Sequence, residues 1–313
     1  MAKPEVLVVY KKSQLRLALE KRNSRIKRLL KRGDPSTEPM RAAHEAHEDT
    51  LLEVERALRA AGASFARVYR ARLRPGMTEH RRLVISVGGD GTLLDTSHKV
   101  SAAPVLGVNS DTAHSVGFLC AAHRGTFAAL LSQVLAGRLK PTVVRRLAGA
   151  IDGTPLPFPV LNDVLVAHKN PAATSRVLVE HQGVVEDQKS SGIWVSTAAG
   201  STAAMSSAGG EIVGLADARA QLRVREPFLA DGPRFKLAAL WLSDGDEVAV
   251  TSKMREGRVY LDGPHELLEL PMGARLTLSL RAPPLHLFAT QEMALRRETA
   301  RQNARQDRLR SHA

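Results

Sequence analysis

Cysteine is almost missing from this chain, since Cys120 is the single one in 313 residues. One cysteine excludes an intramolecular disulfide, and no cluster of cysteine and histidine has the spacing of a zinc site. The sequence also lacks any run near the roughly 18 apolar residues that a membrane helix needs. The short apolar run at its start is not the longer apolar core of a signal peptide. These absences predict a protein of the reducing cytoplasm with no membrane contact.

Aromatic residues are scarce as well. Phe, Tyr and Trp make up 4% of the chain, which predicts cores packed from Val, Leu and Ala. The formal net charge of +13 favours polyanionic partners, which include nucleic acids, anionic membranes and phosphorylated small molecules. Two strongly basic segments, residues 11–32 and 292–313, have no nucleic-acid motif and no interleaved aromatics. We interpret both as solvated helix faces of open role, and nucleic acid is not the expected partner.

The first half of the sequence alternates predicted strands with predicted helices. Strand patterns cover residues 5–10, 83–87 and 104–108, and helix patterns cover residues 42–61, 92–100 and 126–136. Such alternation is typical of a doubly wound parallel sheet. We therefore expect an α/β nucleotide-binding domain over residues 1–145.

The second half changes to short alternating runs separated by turn residues. Strand patterns cover residues 177–180, 184–186, 247–251, 258–261, 267–270 and 276–280. They predict an all-β, sandwich-like domain over residues 146–286. Residues 287–313 regain helical character, and we expect this basic C-terminal segment to return to the first domain and pack on it.

The strongest local signal is the glycine-rich turn Gly88-Gly89-Asp90-Gly91-Thr92, which lies between a predicted strand and a predicted helix. At the carboxyl end of a parallel strand, a turn lies where open α/β sheets bind ligands. Glycines let the backbone approach phosphates closely, and a helix start attracts anions. Asp90 is then a candidate for accepting a proton from an attacking hydroxyl or for holding Mg²⁺ on the phosphates. The competing interpretation is a tight turn in which Asp90 merely caps the helix.

Three further segments follow this turn along the chain. They are Val108-Asn109-Ser110-Asp111 with Gly117-Phe118-Leu119, then Leu161-Asn162-Asp163-Val164, and then residues 190–203 (SSGIWVSTAAGSTA). The turn alone resembles those of diacylglycerol and sphingosine kinases, phosphofructokinases and NAD kinases. The four motifs together, in this order between residues 88 and 210, resemble the catalytic core of the NAD kinase family. The long loop from Asn109 to Gly117 is more similar to the mitochondrial-type branch.

The resemblance implies an α/β enzyme that uses ATP and Mg²⁺ to phosphorylate the 2′-hydroxyl of the adenosine ribose of NAD, which gives NADP. It implies that Asp90 is the catalytic carboxylate and that the ATP phosphates lie on Gly88, Gly89, Gly91 and Thr92. The NAD-binding residues that it implies are Asn109, Phe118, Asn162, Asp163, Ser191, Thr202, Ala203 and Ser207. Mg²⁺ is expected to be held by the phosphates, with Asp90 as the candidate protein ligand. A homo-oligomer, a dimer or tetramer, is also expected.

Individual roles also follow from the resemblance. Asn162 and Asp163 would hold the hydroxyls of the nicotinamide-side ribose, and an amide and a carboxylate can each bond a diol. The adenine would be surrounded by Phe118, Thr202, Ala203 and Ser207. Each role has a structural alternative: Phe118 as plain core, Asn162 as a turn residue and Thr202 as a helix cap.

Two positions depart from the family pattern. The usual Asp before Gly192 is Ser191, and the usual Tyr after Thr-Ala is Ala204. The first change removes a carboxylate, and the second removes an aromatic face for a base. The choice between NAD and NADH, and between ATP and polyphosphate, stays open. The alternatives are a lipid or sugar kinase with the same turn and a non-catalytic NAD(P)-binding regulator.

Overall fold

The computed structural model describes residues 5–228 and 235–310. The chain forms two compact units. The first comprises the residues up to Thr142 together with His286–Met293, and the second comprises Val143–Leu285 together with the residues from Ala294 onward.

The helices and strands of the described residues are as follows. The α-helices are α1 (Gln14–Glu20), α2 (Ser24–Lys31), α3 (Glu38–Ala60), α4 (Pro75–Thr78), α5 (Asp90–Ser97), α6 (Phe127–Leu135), α7 (Ala204–Ser207) and α8 (Gln291–Arg310). The strands are β1 (Val6–Tyr10), β2 (Phe65–Tyr69), β3 (Leu83–Gly88), β4 (Val105–Asn109), β5 (Ala122–His123), β6 (Thr142–Val144), β7 (Ala148–Ile151), β8 (Thr154–Pro155), β9 (Asp163–His168), β10 (Ser175–His181), β11 (Val184–Ser190), β12 (Gly192–Ser196), β13 (Ala220–Arg225), β14 (Ala239–Leu242), β15 (Glu247–Ser252), β16 (Gly257–Leu261), β17 (Glu266–Glu269), β18 (Arg275–Ser279) and β19 (Leu285–Leu287).

The first unit is built on a sheet of order β2-β1-β3-β4-β19-β6, with β5 beside β4. Strands β2, β1, β3 and β4 pair in parallel, and so do β4 and β19. Every residue of β3 and β4 is buried, as expected for apolar strands covered on both faces. The predicted α/β class with a parallel sheet is confirmed. In this register Tyr10 lies beside Val87, and Gly88 lies beside Asn109, so these strands end at one edge.

The second unit contains two six-stranded antiparallel sheets. Their orders are β11-β10-β15-β18-β7-β8 and β14-β13-β12-β9-β16-β17. One apolar cluster draws on both sheets, for example on Val177 and Val250 from the first and on Ile193 and Val259 from the second. Alternating side chains from two facing sheets form such a core. The prediction of an all-β, sandwich-like second domain is confirmed.

The end of the chain contributes first to one unit and then to the other. Leu287 of β19 pairs with Val105 of β4, so the chain does return to the first unit's sheet. Helix α8 instead contacts the second unit, where Arg297 donates to the carbonyl oxygen of Val213 at 3.0 Å. This differs from the expectation that all of residues 287–313 pack on the first unit. The physical reason is that buried hydrogen bonds from Arg297, and not a broad apolar stripe, anchor the helix. Residues 311–313 of that predicted segment lie outside the described residues.

Candidate active site

The glycine-rich turn joins β3 to α5. Gly88 ends the strand, Gly89 is the N-cap of the helix, and Asp90 is the first helical residue. A Cβ atom on Gly88 would lie 2.2 Å from Oγ1 of the buried Thr92, so a larger residue there would displace Thr92. Gly91 is exposed, and a Cβ there would meet nothing within 4 Å. The turn is therefore closely packed at Gly88 and open at Gly91, at a helix start that favours anions.

The Asp90 carboxylate connects two of the sequence motifs. Its Oδ2 accepts a hydrogen bond from the N–H of Phe118 at 2.9 Å, and its Oδ1 accepts one from the N–H of Leu119 at 2.8 Å. Because Gly89 is the N-cap and Asp90 is already the first helical residue, the interpretation of Asp90 as a helix cap is wrong. The structure thus brings the Gly88–Thr92 turn and the Gly117-Phe118-Leu119 segment together through one carboxylate.

Asn109 shapes the long loop that leads back to this segment. Its Nδ2 donates to the carbonyl oxygen of Ser115 at 2.7 Å, and its Oδ1 accepts from the N–H of Asp111 at 3.2 Å. Gly117 has a φ of +66°, and a Cβ there would lie 2.7 Å from the Asn109 amide nitrogen. Asn109 and Gly117 together hold Phe118 where its N–H reaches Asp90. The Phe118 side chain itself is only half-buried.

His47 of α3 is a contributor that the sequence analysis missed. The residue is fully buried, with Nε2 2.7 Å from the Lys11 carbonyl oxygen and Nδ1 2.9 Å from the Ser110 hydroxyl. A carbonyl only accepts, so Nε2 carries the proton and the Ser110 hydroxyl donates to Nδ1. Burial lowers the pKa of His47 to about 4, which keeps the ring neutral. In the sequence, the helical spacing of His47 with Leu51 and Val54 was the pattern that could have predicted its burial.

The backbone before β9 is held by a second residue that the sequence analysis missed. The Asp262 carboxylate accepts hydrogen bonds from the N–H groups of Leu161, Asn162 and Asp163, at 2.9, 2.6 and 3.2 Å. Asp262 follows β16 and has a φ of +50°, a left-handed conformation that Asp tolerates better than most residues. Three peptide groups on one carboxylate fix the path of the Asn162-Asp163 segment.

The side chains of this segment have unusual environments. Asn162 is only 9% exposed, and among the described residues its Oδ1 finds no hydrogen-bond partner. Burial, reinforced by the negative charge of Asp262, raises the pKa of Asp163 to about 7. A buried polar atom without a partner calls for an explanation, and a ligand is one. A simple turn role for Asn162 leaves that oxygen unexplained.

The segment at residues 197–207 packs directly on Asn162. A Cβ on Gly200 would lie 2.4 Å from the Asn162 carbonyl oxygen, so this contact requires glycine. The Ser196 hydroxyl donates to the same oxygen at 3.0 Å. The N-cap of α7 is Ala203, and no side chain caps that helix, so the interpretation of Thr202 as its cap is wrong.

An open cavity of about 480 Å³ lies beside this segment in the second unit. Its walls include Ala204 and Ser207 from α7 and Trp194 from β12. Ser191 and Ala203 are half-buried, and the N–H of Ser191 donates to the carbonyl oxygen of Arg225, another wall residue, at 3.0 Å. Of the predicted NAD-binding residues of this unit, Ser207 thus lies in the wall of this cavity and Ser191 lies beside it.

These features define a class of protein. A parallel α/β unit with a glycine-rich turn at a helix start, together with a β-sandwich unit in which the buried Asn162 Oδ1 has no partner among the described residues, is suited to a nucleotide-dependent phosphotransferase. The model of the ATP-NAD kinase N-terminal domain matches residues 6–139. A probable NADH kinase of Oryza sativa subsp. japonica is 36% identical over 233 residues, which cover 67% of this chain and 72% of that protein. The chain belongs to the ATP-NAD kinase family.

Other relatives and solved structures agree with this assignment. The NADH kinase of Arabidopsis thaliana is 35% identical over 66% of this chain and 72% of its own length. An NAD kinase from Archaeoglobus fulgidus, solved in complex with ATP, superposes with a TM-score of 0.68 at 20% identity, covering 95% of this chain and 98% of that one. The yeast NADH kinase complexed with NADH gives 0.66 at 18% identity, covering 96% and 87%. At these identities the structures establish the shared fold.

Proposed function

We propose that this chain transfers the terminal phosphoryl group of ATP to the 2′-hydroxyl of the adenosine ribose of NAD, which yields NADP and ADP. The observation that carries the choice of acceptor is the buried Asn162 amide, whose oxygen has no hydrogen-bond partner among the described residues. A glycine-rich turn alone would serve a lipid or sugar kinase equally well. A buried amide beside the Asp163 carboxyl is suited to a diol, since both groups hydrogen-bond hydroxyls.

In the proposed reaction Asp90 is the general base. The 2′-oxygen attacks the γ-phosphorus, the bond from that phosphorus to the β–γ bridging oxygen breaks, and Asp90 takes the hydroxyl proton. Two N–H groups already bind its carboxylate. The Cys120 thiol also lies 3.9 Å from Oδ1, so the carboxylate is held in a fixed orientation. Residues Gly88, Gly89, Gly91 and Thr92 form the phosphate-binding turn of this proposal.

The residues present are compatible with Mg²⁺ that is bound mainly by the substrate. Within residues 5–228 and 235–310, no group of three or more His, Cys, Asp or Glu side chains is placed to hold a metal ion. Mg²⁺ usually binds through substrate phosphates, waters and one or two carboxylates. A role of Asp90 as its carboxylate ligand is the alternative to the role of general base. When bound, Mg²⁺ would neutralise charge that develops on the phosphates.

The acceptor groups follow from the second unit. We assign Asn162 and Asp163 to the ribose hydroxyls, and the raised pKa of Asp163 provides a partly protonated carboxyl that can both donate and accept. The remaining proposed NAD-binding residues are Asn109, Phe118, Ser191, Thr202, Ala203 and Ser207. For Asn109 we propose an indirect contribution through the loop that it holds.

NADH is a second candidate acceptor. Relatives from Oryza sativa and Arabidopsis thaliana carry the name NADH kinase.

Among the described residues the structure contains no helix long and apolar enough to cross a membrane. From the single, buried free cysteine we propose a reducing, cytoplasmic location. From family resemblance we propose a homo-oligomer.

The proposal is tested by incubating the purified chain with ATP, Mg²⁺ and either NAD or NADH. We expect ATP-dependent formation of NADP or NADPH, measured enzymatically, and the ratio of the two kcat/KM values identifies the preferred acceptor. Polyphosphate in place of ATP tests the donor. If neither acceptor is phosphorylated with either donor while NAD still binds, the chain is a non-catalytic NAD-binding regulator and the proposal is wrong.

Replacing Asn162 with alanine should raise the KM for the nicotinamide nucleotide about tenfold and leave the KM for ATP unchanged. A lost neutral hydrogen bond costs about 0.5–1.5 kcal/mol. The free protein should not lose stability, because the variant removes a buried oxygen that has no partner there. Steady-state kinetics and thermal melting check both parts.

The matched control for this prediction is Asn170→Ala. Asn170 is exposed in the same unit, and its Oδ1 accepts from the N–H of Ala172 at 3.0 Å. Its replacement should change neither KM. A selective loss of ATP affinity in Asn162→Ala would instead move Asn162 to the donor site.

A further inference from the structure

Lys11 lies beside the glycine-rich turn. It is the first residue after β1, and its N–H donates to the carbonyl oxygen of Val87 at 3.3 Å, one residue before Gly88. β1 and β3 are parallel neighbours, so the residue after β1 and the turn after β3 share the carboxyl edge of the sheet. Ligands bind at this edge in open α/β sheets.

The Lys11 side chain is half-buried and makes no ion pair within 4.0 Å among the described residues. Desolvation is the main influence on its ammonium and lowers its pKa. The charge of Asp111 opposes this shift, whereas the charge of Arg70 adds to it. A partly buried ammonium without a paired carboxylate carries a desolvation cost that an anion would offset.

The neighbouring cations differ from Lys11 because their charges are paired. Lys12 binds the Glu20 carboxylate at 2.6 Å, and its ammonium lies 4.9 Å from the centre of the Tyr69 ring. Arg70, at the end of β2, binds the Asp95 carboxylate at 3.0 Å. Of these three cations, Lys11 is the one that stays available to an incoming anion.

The backbone of Lys11 is also held in place. Its carbonyl oxygen accepts the Nε2 proton of the buried His47 at 2.7 Å, and the other nitrogen of that ring binds Ser110 in the loop after β4. One ring therefore fixes the carboxyl ends of β1 and β4 to each other. The Lys11 backbone is therefore fixed in position, and the ammonium moves only through rotation of its own side chain.

We propose that the ammonium of Lys11 binds the polyphosphate of the donor nucleotide beside the Gly88–Thr92 turn. This inference rests on the proposed function, because it assumes that the turn binds the phosphates of ATP. A lysine acts there as a compact positive charge with three donors, which suits phosphate oxygens that move during transfer. His47 is a positioning residue that acts through the Lys11 backbone.

The test is direct binding of ATP, ADP and adenosine to the wild type and to Lys11→Met, by calorimetric titration without NAD. Methionine keeps the chain length and removes the charge. We expect ATP affinity to fall about 10- to 100-fold, as for a lost charge-assisted hydrogen bond, while adenosine affinity changes less than twofold. The KM for ATP should rise in parallel, and the KM for NAD should stay within about twofold.

Lys12→Met is the matched control. It removes the adjacent, paired ammonium and should leave ATP affinity within twofold of the wild type. Lys11→Arg should recover most of the affinity. If Lys11→Met does not fold, the same comparison between ATP and adenosine is made with Lys11→Gln, whose shorter polar chain tolerates exposure.

Three results would overturn the inference: unchanged ATP affinity in the Lys11 variants, an equal loss for adenosine and ATP, or a loss confined to NAD. Failure of the proposed function looks different. A wild type that binds ATP through Lys11 but phosphorylates neither NAD nor NADH would overturn the function alone. An active enzyme with normal ATP affinity in Lys11→Met would overturn this inference alone.

Discussion

Asp90→Asn should lower kcat by about 10³-fold while the Kd for NAD stays within a few-fold. A positioned general base contributes roughly 10²–10⁴-fold to the rate, and an amide cannot take the substrate proton. Phe118 and Leu119 donate to different oxygens of the carboxylate, and in asparagine one of these oxygens becomes an NH₂ group that cannot accept. The two effects act on turnover more than on NAD affinity. Steady-state kinetics and equilibrium titration with NAD measure the two quantities.

The control for this variant is Asp49→Asn, which removes an exposed carboxylate of the same unit that binds Arg124 at 2.8 Å. Exposed ion pairs contribute about 0–1 kcal/mol to stability, and kcat should be unchanged. Near-normal turnover in Asp90→Asn would show that Asp90 serves only to hold Phe118 and Leu119. The proposed mechanism would then be wrong.

Arg297→Met should lower the free energy of unfolding by about 3–5 kcal/mol, the largest stability effect that we expect. Arg297 is 3% exposed, and its guanidinium donates to the carbonyl oxygens of Ala198 and Val213 and to the Ser201 hydroxyl. Methionine leaves these buried acceptors without their donor, at about 1–3 kcal/mol each with partial relaxation. Urea-induced unfolding, followed by circular dichroism, measures the difference.

Arg301→Met on the same helix is the comparison for Arg297→Met. Arg301 is exposed and binds the carboxylate of Glu298, one turn away, at 2.8 Å. An exposed pair at this spacing is worth a few tenths of a kcal/mol, so its loss should hardly change unfolding. Equal destabilisation by the two variants would refute a special role for Arg297.

We also expect Arg297→Met to raise the KM for NAD, since Ala198 and Ser201 lie in the segment that packs on Asn162.

Local patterns predicted most of the fold. The buried strands β3 and β4 are short apolar runs, and the amphipathic α3 has a clear helical period, so their sequences specify them without knowledge of the partner elements. Strand β2 was missed because its five residues are partly or fully exposed and show no clean alternation. The basic segment at residues 11–32, interpreted from the sequence as a solvated helix face, forms two helices, α1 and α2, and α2 has no fully buried residue.

The candidate site was predictable where a motif is continuous and not where it depends on distant residues. The Gly88–Thr92 turn and the Asn162-Asp163 pair could be found directly. Asp262 lies 100 positions from Asn162, and Arg297 lies 99 positions from Ala198. Such hydrogen bonds depend on which strands and helices become neighbours, and a single charged residue in a sequence carries no information about that.

The three hydrogen bonds that the Asp262 carboxylate accepts from peptide N–H groups have an evolutionary consequence. Those bonds involve the main chain of residues 161–163 and none of their side chains. These three bonds are therefore independent of which side chains stand at positions 162 and 163. At the acceptor site that we propose, mutations at these two positions are expected to alter which hydroxyls are bound while these three bonds stay intact. We therefore expect single substitutions at these positions to be able to change the preferred substrate without compensating changes at Asp262.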